Sequence, residues 1–509
     1  MQQAARPWPG AAGPACPQPG ARPRTQAWPT LGYILLLLAC VREAAAAAGY
    51  LPRPGERGLR QAGLPWLEVP WQPLLTQAEV QRGMYYGSGG RLRALATKLR
   101  AGRPVTVVLL GGSVTNAGEL SRQGLSYAAR FFSFLNSTFP NPAHRFINRG
   151  MPSSNSGWFA PCVDTLVPPG ADLVVVEFAV NDNQQVAITS PWRHFYEQLL
   201  RRLLALPASP AVVLLQHYSW YLAAGDGQQA GLFYNNPESS FNWLAQYYDV
   251  PSMSLRAAAW RLMQQGIEGF KVDQVLRPGI SYKGRALPQA DPSQRNQFIY
   301  DDFVHPGPTG HQLLAELLCA PLIRALWETD IGLVVNERQD SRVQGLPPPM
   351  IPNERDQLTA PFCAIGDDFQ WAIVDSQGFN ISSERPRGNG YEPAISGWVA
   401  TQPGSFLVLQ VDTRSGLRGR DAGRALVLLQ YLRGNADTIG TAVLTCEAGC
   451  TCARQRLDAT WPSHVQMVAV AELLVTGQSD RCLVRVTVAP DNGSRQLFFN
   501  GVMVNPWHE

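Results

Sequence analysis

From Pro104 the chain alternates short apolar, β-branched runs with segments whose apolar positions recur at helical spacing. Val105 to Leu110, Arg145 to Ile147, Leu173 to Phe178 and Ala211 to Gln216 are mostly apolar, as strands buried on both faces are. Leu125 to Leu135, Trp158 to Leu166 and Trp192 to Leu206 carry the helical period between them, and Thr309 to Trp327 reads as a long amphipathic helix. Such alternation predicts an α/β domain, a parallel sheet with helices on both faces. The pattern changes after that helix. Asn336 to Pro352 holds charged residues, Gly345 and four prolines, a composition that resists regular structure and suits a linker. Beyond it Phe406 to Val411, Leu426 to Leu432, Val465 to Ala471, Cys482 to Val488 and Gln496 to Val504 alternate or are β-rich between Gly, Asp and Asn turns, which predicts an all-β, sandwich-like domain. The expected organisation is residues 1–49 for targeting, 50–100 an N-terminal extension, 101–330 the α/β domain, 331–360 the linker and 361–509 the β-rich domain.

Composition sharpens this at the N-terminus. Arg6, Arg22 and Arg24 precede an apolar run from Leu31 to Cys40, no acidic residue appears before Glu43, and the alanines Ala44 to Ala48 offer small-residue cleavage sites. A secretory signal peptide is expected, with a retained anchor through residues 31–48 as the alternative, because the run is shorter than the 20 or so residues of a full span. Elsewhere 45% hydrophobic and 16% charged residues belong to a folded chain with a large core. A formal net charge of +4 over 509 residues gives no reason to expect nucleic acid. Cys446, Cys450, Cys452 and Cys482 point to disulfides in an oxidising compartment; a zinc site is the competing reading, though Cys-x-Cys spacing is poor for tetrahedral chelation. Asn136, Asn380 and Asn492 open N-glycosylation sequons.

The chemistry gathers at the ends of the apolar runs. The first strand leads into Gly111-Gly112-Ser113, where glycines let the chain turn sharply and expose the next side chain at the carboxyl edge of the sheet. A serine hydroxyl becomes a nucleophile when a base takes its proton and a third group orients that base. Asp302 and His305, three residues apart just before the last helix, supply such a pair; Asp301 is the alternative orienter. His311 reads as a packing or capping residue, His217 as a satisfied histidine at the sheet edge, and Glu177 as a buried carboxylate with a hydrogen-bond partner. The spacing supplies no metal site, phosphate-cradling loop or nucleotide fingerprint, and no cofactor is expected.

In their order these blocks resemble the SGNH hydrolases, the GDSL-type esterases and lipases. Ser113 falls in the first block, Gly150 of Asn148-Arg149-Gly150 in the second, Asn181 of Val180-Asn181-Asp182 in the third, and Asp302 with His305 in the last. The resemblance covers residues 100 to 330. It implies a flavodoxin-like parallel sheet sandwiched by helices, a Ser113/His305/Asp302 triad, and an oxyanion hole made by the Ser113 and Gly150 amides and the Asn181 side chain. Gly112 replaces the aspartate of the family wording and Val180 the glycine before Asn-Asp, departures that leave subfamily and substrate open. The β-rich tail resembles that of some algal and plant members. The expected activity is hydrolysis of an ester, on a small molecule, an O-acetylated glycan or a lipid. The alternatives are a glycan O-acetyltransferase using the same triad and a silent carbohydrate-binding or adhesion protein. In the tail, Trp371, Tyr391, Trp398 and Trp461 either stack on sugars or fill the core.

Overall fold

The computed structural model describes residues 69–506 apart from 153, 185, 225–230, 279–285, 334–344, 352–361, 385–394, 415–422, 462–465 and 478. The segment expected to serve targeting, residues 31–48 included, and Tyr391 lie outside the described residues.

Strands β2 (Thr106–Gly111), β3 (Arg145–Gly150), β4 (Leu173–Glu177), β5 (Ala211–Gln216) and β6 (Ser252–Ser254) are parallel, in the spatial order β3-β2-β4-β5-β6. A two-residue β1 (Met84–Tyr85) closes the edge antiparallel to β6. This is the flavodoxin-like order, which opens a crevice at the carboxyl ends of β2 and β4, where successive connections leave in opposite directions. The segment expected as an N-terminal extension adds, besides β1, helices α1 (Gln77–Gly83) and α2 (Gly90–Arg100). The remaining main helices are α3 (Tyr127–Thr138), α4 (Pro191–Leu204), α5 (Glu238–Tyr247), α6 (Leu255–Gln264) and α7 (Pro308–Asp330). Along the central strands Val108, Leu110, Val174, Val176, Val212 and Leu214 pack against α4 and α5, while α7 packs with α2 and α3 over β5. The helical pattern from Trp158 to Leu166 proves to be two single turns, Ser156–Phe159 and Val163–Leu166, with Pro161 between them. A proline lacks the N–H that a continuous helix would need there.

The C-terminal region is a β-sandwich. One sheet runs β14 (Thr451–Cys452), β16 (Met467–Thr476), β12 (Arg424–Arg433), β18 (Leu497–Pro506), β10 (Ile395–Ala400), β9 (Asn380–Glu384), with β7 (Phe362–Ile365) also on β18. The other runs β15 (Gln455–Asp458), β13 (Thr441–Ala448), β17 (Cys482–Val488), β11 (Phe406–Val411), β8 (Ile373–Gln377). The nearly continuous apolar run of β12 has a reason in this layering. Ala425, Val427, Leu429 and Tyr431 face the sandwich core, whereas Leu426, Leu428 and Leu432 join the core of the α/β domain. Val468, Phe498 and Met503 join it too, beside Trp158, Phe159 and Phe178. At about 1.5–3 kcal/mol for each large apolar side chain buried, these six contribute on the order of 10 kcal/mol, so the two halves are energetically one body.

Three disulfides pair Cys162 with Cys363, Cys446 with Cys452, and Cys450 with Cys482. The last two occupy the four C-terminal cysteines for which zinc was the competing reading. The first joins the α/β domain to β7. The described part of the linker is docked: Pro347 O accepts from the Arg201 guanidinium at 2.6 Å, and the Met350 and Ile351 amides donate to Glu197. Of the sequons, Asn492 is fully buried, with Oδ1 accepting from the Thr441 amide and Nδ2 donating to Thr401 O and Arg495 O. That excludes it as a glycan acceptor in the folded protein. No helix among the described residues is long and apolar enough to cross a membrane.

Candidate active site

β2 runs out through two glycines, Gly111 and Gly112, because neither position has room for a side chain. A Cβ at Gly111 would stand 2.0 Å from Thr115 Oγ1, and one at Gly112 2.3 Å from Asn181 Oδ1. Ser113 then opens a single helical turn, Ser113–Asn116, which closes on Ala117 in the left-handed region with φ 53°. The first amides of such a turn have no intrahelical acceptor, which leaves the Ser113 N–H available. Ser113 therefore stands above the carboxyl end of β2, at the switch point of the sheet.

His305 arrives from the loop before α7. Its Nε2 lies 2.7 Å from Ser113 Oγ, and its Nδ1 lies 2.8 Å from Asp302 Oδ2. The second Asp302 oxygen accepts from the Val304 and His305 amides at 2.8 and 2.7 Å, so one turn of backbone orients the carboxylate. The Asp302 side chain is fully buried while that of His305 is 24% exposed. Burial opposes ionisation of Asp302, but the neighbouring His305 and the two amides outweigh it and hold the carboxyl well below the usual range. Asp301 turns away to an ion pair with Arg277, which also lies 3.7 Å from Asp302. The carboxylate that meets the His305 ring is thus Asp302 and not Asp301.

The segment leaving β5 supports this loop from beneath. His217 Nε2–H donates to Val304 O at 2.9 Å, and Ser219 Oγ donates to Phe303 O at 2.6 Å. The Tyr300 hydroxyl donates to Tyr218 O. Burial pushes His217 down to about 4, so it remains neutral as a structural donor. Sequence reasoning placed His217 at the sheet edge but missed the support given by Ser219 and Tyr300, whose serine and tyrosine carry no distinguishing pattern.

Of the expected oxyanion donors, Ser113 and Asn181 are brought together. The Asn181 amide lies directly on Gly112, and its turn is fixed by Asp182, which accepts from the Ser156 amide at 2.9 Å and the Ser156 hydroxyl at 2.6 Å. Gly150 is placed differently. Its amide donates to Asn148 Oδ1 at 2.8 Å, and a Cβ there would stand 2.3 Å from the Asn116 amide nitrogen. This glycine serves close packing under the Ser113 turn, and from the loop after β3 it is Pro152 that lines the cleft. Glu177 is fully buried at the end of β4 and accepts from Thr115 Oγ1 at 3.1 Å, with burial raising it to about 8.

The cleft above Ser113 has a volume of about 330 Å³, with His305, His311, Arg277, Asp301, Glu119 and Arg295 among its polar lining. Among the described residues no cluster of His, Cys, Asp and Glu could hold a metal ion. Of the tail aromatics, Trp371 is 78% exposed, Trp398 packs partly buried against the sandwich core, and Trp461 lies under the Arg433 guanidinium at 4.0 Å.

No family model and no curated protein matches the chain. Solved structures do. A two-domain esterase (CEX) active on acetylated mannans is similar at 20% identity, covering 84% of this chain and 99% of that one with a TM-score of 0.57. The same esterase co-crystallised with mannopentaose is similar at 19% identity, covering 84% and 98% with a TM-score of 0.55. The likeness runs through both halves of the chain, and it establishes the fold, a parallel α/β sheet flanked by helices carrying an appended β-rich domain.

Proposed function

We propose that the protein is a serine esterase that removes O-acetyl groups from glycans. The observation that carries this reading is the unbroken hydrogen-bond chain from Asp302 through His305 to Ser113, opening into a cleft. The shared two-domain fold with an esterase active on acetylated mannans supports the acetylated-glycan substrate class.

In this mechanism His305 Nε2 takes the Ser113 proton as Oγ attacks the acetyl carbonyl, and buried Asp302 stabilises the imidazolium that forms. The Ser113 amide and the Asn181 side chain donate to the developing oxyanion. His305 then returns the proton to the departing sugar hydroxyl, and water, deprotonated by the same imidazole, releases acetate from the acyl-enzyme. Three disulfides among the described residues support an extracellular or luminal site of action.

The test is acetate release from acetylated manno- and xylo-oligosaccharides by the chain expressed through a secretory host, beside Ser113→Ala. Release by the parent and none by the variant is the expected result. Transfer of acetyl groups to a glycan acceptor with no release in water alone would overturn hydrolysis in favour of acetyl transfer.

A further inference from the structure

We propose that His311 is a substrate-binding residue of the cleft, a neutral imidazole that offers a fixed Nε2–H to an oxygen of the sugar carrying the ester. This deepens the glycan-esterase reading and rests on it.

His311 lines the same cleft as Ser113 and His305, though only 1% exposed. Its Nδ1 lies 3.2 Å from the Tyr127 amide, the first residue of α3. A backbone N–H can only donate, so Nδ1 holds a lone pair and the proton of the neutral ring sits on Nε2. The Tyr127 ring stacks on the imidazole with centroids 6.0 Å apart and planes 20° apart, which holds the ring orientation. Burial, followed by the charges of His217, His305 and Arg130, keeps the ring well below its ordinary pKa. The one lone pair of the neutral ring is engaged by the Tyr127 amide, and Nε2 keeps none with which to act as a second base.

The charges around it leave this role open. Arg277 is paired with Asp301, and Glu119 with Arg122 at 2.7 Å. A fixed neutral donor suits a sugar hydroxyl or ring oxygen, which can accept a hydrogen bond without bringing charge into the cleft. The capping expected of this residue is real, since Nδ1 satisfies an orphan amide of α3. It is also what commits the other nitrogen to being a donor.

His311→Asn separates the two roles, because Asn Oδ1 stands near the position of Nδ1 and can still accept from Tyr127 while nothing reaches as far as Nε2. The expected result is a KM for acetylated manno-oligosaccharide raised about tenfold, with kcat changed less than about twofold and a smaller loss on p-nitrophenyl acetate, as for one lost hydrogen bond. Equal losses on both substrates would assign His311 to capping alone and overturn the proposal, as would an unchanged KM. Imidazole ¹⁵N spectra of the parent give a readout independent of activity and of how the variant folds. An Nε2–H pattern constant from about pH 5 to 9 is expected, where an unperturbed histidine would titrate; an Nδ1–H tautomer or a titration in that range overturns the proposal. Adding the oligosaccharide to Ser113→Ala is expected to shift the Nε2 signal, and an unmoved signal at saturation also overturns it. A parent that hydrolyses no acetylated glycan defeats the esterase reading, while the Nε2 shift still decides whether His311 binds sugar.

Discussion

The two halves of the molecule bury polar groups of different kinds. The α/β domain buries ionisable groups: Glu177, which burial keeps protonated at neutral pH, and Asp182, Arg193, Glu197, Arg202, Asp302 and Glu316 are all at or near zero exposure. In the β-rich half, the buried polar side chains among the described residues are Ser405, Thr413, Gln430, Thr441, Gln466, Asn492, Asn500 and Asn505, none of them ionisable. Burying a charge costs several kcal/mol unless hydrogen bonds compensate, so its concentration marks the region where geometry must be held against that cost. Asp182 holds the Asn181 turn through Ser156, Asp302 holds His305, and Glu197 ties the linker to α4. The sandwich instead achieves order with apolar faces, amide caps and two disulfides. One half is arranged to hold a cleft and the other to pack, with one face of the sandwich joining the core of the first.

Four measurements test that contrast, in order of decreasing effect. Ser113→Ala is expected to lower turnover of acetylated oligosaccharide by about 10⁴-fold or more with the melting temperature unchanged; a comparable loss from a sandwich substitution such as Trp371→Ala would erase the division of labour. Next come the disulfides. The Cys162–Cys363 bridge closes 201 residues and Cys446–Cys452 closes 6. Loop entropy then assigns about 5 kcal/mol to the first and about 2 to the second. Paired serine variants compared by denaturant midpoint should show that order within one unfolding transition, since the halves share a core; two separate transitions would contradict the shared body.

Asn181→Ala is expected to reduce kcat by about 10²- to 10³-fold with little change in stability, as for one lost oxyanion donor. A twofold effect would remove Asn181 from the hole. The smallest effect concerns Glu177, raised by burial from 4.5 to about 8. Between those values the folded protein holds a proton that the unfolded chain has released, so stability falls as pH rises through this window. Glu177→Gln keeps the shape without the charge. Its melting temperature relative to the parent should rise by on the order of a few °C from pH 5 to 8.5, and a difference that does not vary with pH would show Glu177 ionised throughout.

Much of the site was legible because its chemistry is local. Gly111-Gly112-Ser113 is a turn whose crowding demands glycines, and Asp302-x-x-His305 closes its hydrogen bonds within one turn of backbone. Gly150 was harder. A glycine at the end of a strand looks the same whether it offers an amide or merely makes room, and here its amide is committed to Asn148. Trp158 to Leu166 kept a helical period through Pro161 because periodicity records which residues face a core, not whether the backbone is continuous.

Read alone, the chain specified the alternation of strand and helix, the all-β character of its C-terminal part and the Gly111-Gly112-Ser113 and Asp302-x-x-His305 turns, since each depends on neighbours within a few residues. Only the tertiary structure decided the rest. The pairing of Cys162 with Cys363 joins residues 201 apart, and Leu426, Leu428 and Leu432 reach a second core. His217 lies under a loop from the far end of the domain, and His311 takes its tautomer from an amide 184 positions earlier. Those relations depend on which surfaces the fold brings within hydrogen-bond or van der Waals distance, and no local pattern encodes that distance.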